Sequence, residues 1–175
     1  PEGVNEESFI NQLIHNSLYA HAKVVEKVHT IKDAIVLGMV IYIPHYAATC
    51  HPLDELAARK QMSKTNVFLD MFVYGEYSSY YWSQMVKNNT LPDIQEGDLE
   101  VMRKNTVDWL SFSYYMSATA KDGSSGVKAG GNLQVELNPY LKASEWGWTI
   151  DPIGIRIALR DLYEKYRMPI MVVEN

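Results

Sequence analysis

Residues 169–175 read Pro-Ile-Met-Val-Val-Glu-Asn, and the rest of the chain is interpreted from this stretch. Met171, Val172 and Val173, two of them β-branched, lead directly into Glu174 and an amide. This order is typical of a buried parallel strand that delivers a polar residue at its C-terminal end. A strand that carries its polar functional residue at its end implies a loop and further structure after that strand. We therefore expect these residues to be a piece of a larger protein.

The composition is that of one ordinary domain. The 175 residues are 47% hydrophobic, which is enough for a sizeable core. The net charge of -5 and the interspersed charges argue against nucleic acid as a partner. No apolar run approaches the roughly 20 residues of a membrane span, so no membrane partner is predicted either. The first residue is proline, and no charged-then-apolar leader follows it. We therefore expect neither a signal peptide nor a natural start here.

One cysteine, Cys50, excludes an internal disulfide framework and fits a reducing cytosol, although secreted proteins can also lack disulfides. A cytoplasmic location is therefore expected. Cys50 has no evident activating partner, and motifs for a serine or cysteine nucleophile are absent from the sequence.

The hydrophobic pattern predicts helices alternating with strands. Helices are expected at about 7–29, from Asp54, at 79–87 and 96–104, and from Asp151 to Met168, with strands at 33–43, 106–116 and 169–174. The first strand is a continuous apolar run, which predicts burial on both faces. Asp151 is expected to cap the last helix, with Pro152 at its first position. The buried stripes are predicted at 10, 13, 20, 24 and 28 of the first helix and 155, 159, 162 and 166 of the last.

This order indicates α/β units around a parallel sheet. Three parallel strands with crossover helices form either the edge of a doubly wound sheet or an arc of a barrel, and periodicity alone does not separate the two. The longest irregular stretch, Ala120 to Ser144, contains Gly123, Gly126, Gly130 and Gly131. A loop of this length is usually functional or mobile. It lacks the Gly-Lys-Ser/Thr of a phosphate loop.

Polar and aromatic residues gather where the predicted strands end, namely His45, Ser113 to Tyr115, and Glu174. Sites in parallel α/β folds are built at that end. Position alone favours a solvated or ion-paired role for Glu174. Nearby aromatic residues, Tyr114 or Tyr115 together with Trp146 and Trp148, favour a sugar-binding cleft instead, even though aromatic residues are more often core. Tyr114 and Tyr115 must face opposite ways on a strand.

The histidines give a weaker signal. His15, His21 and His29 lie on one predicted helix, but spacings of six and eight do not bring a metal-binding pair onto one face. We assign them to the helix surface or to a hydrogen-bonded core. His45 and His51 follow the first strand and could line a cleft. No metal and no cofactor is predicted.

Three segments resemble glycoside hydrolase family 1. Residues 144–156 and 162–175, with a Gly-Trp loop, a capped helix and a Val-Glu-Asn strand end, are similar to its nucleophile region. Residues 108–115, Asp-Trp-Leu-Ser-Phe-Ser-Tyr-Tyr, resemble the strand that precedes that region in the family. His15-Asn16 and Ala20-His21-Ala22 resemble parts of an earlier helix of the family. The Trp-Gly-Trp and Ile-Asp-Pro variant is similar to the 6-phospho-β-glucosidase branch.

The resemblance implies an α/β fold that is part of a TIM (β/α)8 barrel, with about strands 5 to 7 and their helices in one incomplete catalytic domain over residues 1–175. It implies that Glu174 is the catalytic nucleophile of a retaining enzyme and that Tyr115 orients it. Trp148, Trp146 and Ser113 are expected to bind substrate, although Ser113 stands where many members have asparagine. The implied ligand is a small phosphorylated β-glucoside.

The resemblance also implies what is absent. The acid/base glutamate of the family lies in an Asn-Glu pair at the end of the fourth strand, which is expected to precede this chain. Asn5-Glu6 is no substitute, because no apolar strand precedes it and a helix starts almost immediately. The phosphate-binding Ser, Lys and Tyr come after the nucleophile strand. We expect the isolated chain to be inactive, with exposed strand edges that remaining barrel segments or self-association would cover. The alternative is a non-enzymatic α/β sugar-binding or interaction module.

Overall fold

A computed structural model describes residues 3, 5–124, 126–129 and 133–175. The helices and strands of this described part are, in chain order, α1 Glu6–Val28, β1 Leu37–Ile41, β2 His45–Ala47, α2 Pro52–Tyr74, α3 Ser79–Asn88, α4 Asp98–Lys104, β3 Trp109–Ser113, β4 Ala118–Ala120, β5 Val127–Ala129, β6 Leu133–Val135, α5 Gly154–Tyr166 and β7 Ile170–Glu174.

The strands form three sheets in the described part of the chain. One has the order β1–β3–β7, so β3 is central. Its hydrogen bonding continues past the strand ends, from Tyr42 N to Ser113 O at 3.0 Å and from Tyr114 N to Glu174 O at 2.9 Å. A second sheet pairs β2 with β4 in parallel, and a third pairs β5 with β6 as an antiparallel hairpin. The end of β7 is therefore held beside the end of β3.

The chain divides into two compact units. The first contains the described residues up to Gly38 and Asn66–Leu110. Its apolar core includes Leu18, Ala22, Met71 and Met102.

The buried face of α1 differs from the predicted stripe. Ile10, Leu13 and Val24 are exposed, whereas Asn11 and His15 are buried. The polar pair is accommodated because it is hydrogen-bonded: Asn11 donates to the Thr90 carbonyl at 3.0 Å, and His15 contacts the Tyr77 hydroxyl at 3.0 Å and Asp98 at 3.1 Å. Long-range hydrogen-bond partners, which apolar periodicity does not register, allow Asn11 and His15 to share the buried face with Leu18, Ala22 and Val25.

The second unit comprises Met39–Thr65 and Ser111–Asn175. A small core of Ile43, Met116, Ala118 and Val135 lies beneath Trp148. This unit carries all five residues predicted to form the site.

Two strand predictions are wrong about burial. The first strand spans Leu37–Ile41 and alternates, with Met39 and Ile41 exposed. The last strand exposes Met171 and Val173. Both strands lie at the edges of a three-stranded sheet whose described neighbours cover one face only, so the uninterrupted apolar runs do not produce two buried faces.

The predicted irregular regions contain additional strands. The loop after the first strand includes β2, and the long glycine-containing stretch includes the end of β4 together with β5 and β6. Gly130 and Gly131 lie outside the described residues. The last helix begins at Gly154 rather than Pro152, although Asp151 accepts hydrogen bonds from Ile153 N and Gly154 N as a cap would. Its buried face keeps Leu162 and Tyr166 but uses Ala158 rather than Leu159.

No helix among the described residues combines the length and apolar character needed to cross a membrane.

Gly75, which follows α2, tests the packing of the first unit. It has a φ of +65°, and an added Cβ would lie 2.3 Å from Arg103 Cα and 2.5 Å from Met102 O. We expect Gly75→Ala to lower the free energy of unfolding in urea by at least about 2 kcal/mol, because backbone atoms cannot yield cheaply. Gly97→Ala is the control, since Gly97 has a φ of +91° with open space around it. Equal losses in the two variants would contradict a steric origin.

Candidate active site

Glu174 is the last residue of β7, and its carboxylate is exposed. One oxygen, Oε2, accepts hydrogen bonds from the Tyr115 hydroxyl and from Ser113 Oγ, the latter at 3.1 Å. These two bonds hold the pKa of Glu174 below its usual value, with Tyr115 contributing most. The same contact raises the pKa of the Tyr115 hydroxyl. Glu174 is therefore an oriented, ionised carboxylate at neutral pH.

An aromatic wall starts at Tyr115 and leads away from this carboxylate. The Tyr115 and Trp148 rings stack with centroids 5.4 Å apart and an interplanar angle of 30°. Trp146 continues the row, 6.4 Å from Trp148, and is 74% exposed. These rings line an open cleft of about 660 Å³ together with other residues that include Ser144 and Asn175. Flat apolar faces beside a carboxylate suit the ring of a sugar or an aryl group.

Trp148 is supported from below by the small core of the second unit. Its indole Nε1 is buried and has no hydrogen-bond partner among the described residues. Apolar packing and ring stacking therefore hold the Trp148 side chain in place.

Asp151 connects the segments that carry the aromatic residues. It is only 8% exposed, and its carboxylate accepts hydrogen bonds from Tyr46 Oη at 2.8 Å and Ser117 Oγ at 2.5 Å, besides the two backbone N–H groups at the start of α5. Burial alone would raise the pKa of Asp151, but the hydrogen bonds from Ser117, Tyr46 and the backbone outweigh it and lower the pKa. The carboxylate therefore stays ionised although buried.

Further contacts tighten the same junction. Tyr114 Oη donates to the Asp151 carbonyl at 2.6 Å, and Thr149 Oγ1 donates to the Ser117 carbonyl. A Cβ at Gly154 would lie 2.0 Å from Tyr114 Oη, so only glycine fits there. The segment that carries Trp148 is thus fixed against the segment that carries Tyr115.

The five site residues predicted from the sequence, Ser113, Tyr115, Trp146, Trp148 and Glu174, lie together. Tyr114 and Tyr115 have different partners, Asp151 and Glu174, as alternation along a strand predicts. Asp151 was predicted only as a helix cap, and its partners Tyr46 and Ser117 were not predicted. Neither has a local sequence signal, because both are distant from Asp151 in the chain.

The histidines of the first helix have structural roles. His15 is hydrogen-bonded in the core, His21 packs on Phe72, and His29 contacts Asp108 at 2.8 Å. His51 accepts a hydrogen bond from Leu53 N at 3.2 Å, whereas His45 lines a separate cavity.

Asn5 caps α1 by accepting a hydrogen bond from Ser8 N at 3.1 Å, so the Asn5-Glu6 pair opens a helix and does not end a strand. Within the described ranges, no group of three or more His, Cys, Asp or Glu side chains is placed to hold a metal ion.

The sequence pattern of glycosyl hydrolase family 1 matches residues 1–175, the whole chain. The chain belongs to this family. It is 40% identical over 177 residues to aryl-phospho-β-D-glucosidase BglH of Bacillus subtilis (strain 168), covering 99% of this chain and 38% of that protein. It is 41% identical over 168 residues to a 6-phospho-β-glucosidase of Clostridium longisporum, covering 94% of this chain and 35% of the relative.

A solved structure of a family 1 β-glucosidase from Thermotoga maritima has the same fold over 97% of the chain, with a TM-score of 0.76 and 21% identity, and the match covers 37% of that structure. The chain therefore spans well under half the length of the relatives that it matches. Its fold is part of the α/β barrel of family 1.

The Tyr115 hydroxyl should control the ionisation of Glu174. We expect Tyr115→Phe to raise the pKa of Glu174, because losing the stronger of two hydrogen bonds to the carboxylate destabilises its charged form. A carbon-detected NMR titration of the Glu174 carboxyl measures this. The control is Tyr140→Phe at a tyrosine that is 92% exposed. An unchanged or lower pKa in Tyr115→Phe would contradict the assignment.

The Asp151 carboxylate should stabilise the second unit. Asp151→Asn replaces an acceptor of two hydroxyl protons by an amide, and we expect a loss of about 2–3 kcal/mol in the free energy of unfolding. Glu145→Gln, at an exposed carboxylate on the same segment, is the control and should change it by less than about 0.5 kcal/mol. Denaturant unfolding followed by tryptophan fluorescence measures both. Equal stability of the two variants would contradict the role of Asp151.

Proposed function

We propose that this chain provides the nucleophile half of the active site of a retaining β-glycosidase that hydrolyses 6-phospho-β-glucosides. The observation that carries the proposal is the ionised Glu174 carboxylate, oriented by Tyr115 and Ser113 beside the cleft lined by Trp148 and Trp146. A nucleophile in this chemistry must be deprotonated and aimed at one atom of the sugar. The two hydrogen bonds to Glu174 Oε2 serve both needs, because Oε1 stays available to react.

The proposed reaction proceeds in two displacements. Glu174 attacks the anomeric carbon, the bond to the aglycone oxygen breaks, and a covalent glycosyl-enzyme forms. A second carboxyl group about 5–5.5 Å from the nucleophile protonates the departing oxygen and then deprotonates the water that releases the sugar. We assign this second group to a residue outside 1–175, because Asn5, which begins the Asn-Glu pair of the chain, caps α1.

We propose that the aromatic wall binds the substrate. The Trp148 face, stacked on Tyr115, is adjacent to the carboxylate and suits a sugar ring. Trp146 is more exposed and extends the wall outward, so we assign it to the aglycone. Ser113, with its hydroxyl donated to Glu174, acts on the nucleophile besides any contact with substrate.

The phosphorylated substrate class is proposed because the similar proteins are named phospho-β-glucosidases. The 6-phosphate would be held by residues outside 1–175. In the same proposal β1, β3 and β7 are strands five, six and seven of an eight-stranded barrel. The remaining strands would cover the exposed edge residues Met39 and Val173. The 38% share of the relative that the chain matches fits this reading.

A chimera tests the proposed chemistry. We expect residues 1–175, placed in the Bacillus subtilis relative instead of the matched segment, to give an enzyme that cleaves an aryl 6-phospho-β-glucoside. Glu174→Gln should lower its kcat at least about 10³-fold, because the covalent step loses its nucleophile. Glu145→Gln, at an exposed carboxylate, is the matched control and should leave kcat unchanged. The isolated chain should show no turnover.

Two further arms separate the elements of this proposal. Azide added to a Glu174→Ala chimera should restore cleavage and give a glycosyl azide of inverted anomeric configuration, which a purely structural glutamate would not produce. In the complete natural protein, the unphosphorylated aryl glucoside should be cleaved at least about 10²-fold less efficiently than the aryl 6-phospho-β-glucoside. Equal cleavage of both substrates would refute the substrate class alone. Specific turnover by the isolated chain that Glu174→Gln abolishes would refute the assignment of the acid/base outside 1–175.

A further inference from the structure

A second cavity, of about 380 Å³, opens along the first half of α2. It shares no described lining residue with the cleft beside Glu174. One wall is a single face of α2, where the lining residues recur every three or four positions from Leu53 to Lys64. The opposite wall is the end of β4 and the turn that follows it, Thr119 to Ser124.

One hydrogen bond joins the two walls, and others hold each wall in place. Asp54, near the start of α2, accepts one bond from Asp122 N at 2.8 Å and another from Thr49 Oγ1 at 2.5 Å. Thr119 N donates to the Glu136 carbonyl at 2.7 Å, and Ser124 donates to the Glu136 carboxylate. The cavity is therefore preformed, and a ligand would not have to order its walls.

The cavity has an excess of positive charge. Lys60 and Lys64 are one turn apart on the α2 wall, and Lys121 lies on the facing turn. None of the three has an ion pair within 4.0 Å among the described residues, although the charge of Lys121 helps to lower the pKa of Asp54. Two carboxylates, Asp122 and Glu136, also line the cavity, so its described lining has a formal excess of one positive charge. Two lysines with this spacing repel each other. An anion bound between them would attract both and offset that repulsion.

The same helix face offers apolar surface beside the charges. Leu53 and Leu56 line the cavity and are exposed, and Ala57 lies between them and the lysines. This arrangement suits a ligand with a doubly charged group at one end and a compact apolar body at the other.

We propose that this cavity is a second binding site, which takes a small organic phosphate. Lys60 and Lys64 hold the phosphate together with Lys121, and the organic group packs on Leu53 and Leu56. The site is independent of the reaction proposed for Glu174, since neither the lysines nor the leucines line that cleft.

Phenyl phosphate is a suitable probe, with inorganic phosphate and phenol as its two halves. In titration calorimetry on the complete natural protein we expect saturable binding of phenyl phosphate, weaker binding of inorganic phosphate and none of phenol. Lys60→Gln with Lys64→Gln should weaken the binding of phenyl phosphate at least about tenfold, because two charge-assisted hydrogen bonds are lost.

The matched control is Lys23→Gln with Lys27→Gln. This pair has the same spacing on α1, and Lys23 is already paired with Glu26. It should change the affinity less than about twofold. An equal loss in both double variants, or no saturable binding, would overturn the proposal. So would a loss caused by Trp148→Ala and not by the α2 lysines, which would place the ligand in the aromatic cleft. Equal affinity for phenyl phosphate and inorganic phosphate would overturn the proposal that an organic group packs on Leu53 and Leu56.

Discussion

The buried carboxylate of Asp151 is the constraint on which the candidate active site depends. Its partners come from three places, the segment after β1, the segment after β3 and the start of α5. An ionised group with so little exposure is stable only when its lone pairs are satisfied. The three segments hold the carboxylate, and the carboxylate in turn fixes where the three segments meet.

The geometry at Glu174 follows from this junction. The segment fixed by Asp151 carries Trp148, which packs on Tyr115, and Tyr115 in turn donates to Glu174. Backbone pairing of Tyr114 with Glu174 holds the other side. The carboxylate is thus positioned by groups that are themselves fixed, which is what a reacting residue requires. Its low pKa is a consequence of the same contacts and not of burial.

The local pattern of the sequence was sufficient for the helices, for the three strands of the β1–β3–β7 sheet and for the polar strand end at Glu174, but not for the four short strands β2, β4, β5 and β6. It failed where distant partners decide. The α1 stripe was placed on Leu13 and Val24, whereas Asn11 and His15 are buried because Thr90, Tyr77 and Asp98 satisfy them. Asp151 was predicted as a helix cap, and its bonds to Tyr46 and Ser117 have no sequence signature.

The strand ends show a second limit of local patterns. The apolar runs predict burial on both faces for β1 and a buried strand for β7, yet Met39, Ile41, Met171 and Val173 are exposed. The hydrophobic pattern of a strand indicates how many of its faces are suited to burial. How many are buried depends on which neighbouring elements are present. The chain belongs to family 1 over its whole length and matches 38% of a similar phospho-β-glucosidase, and the exposed faces are those that we propose the remaining barrel strands cover.

The most direct measurement is covalent trapping of the proposed nucleophile. A 6-phospho-2-deoxy-2-fluoro-β-glucosyl fluoride slows both displacements, but its fluoride leaves without acid assistance, so the glycosyl-enzyme accumulates. Applied to the active chimera and followed by peptide mass spectrometry, it should attach one sugar to Glu174. Labelling of another carboxylate, with Glu174 unmodified, would contradict the account.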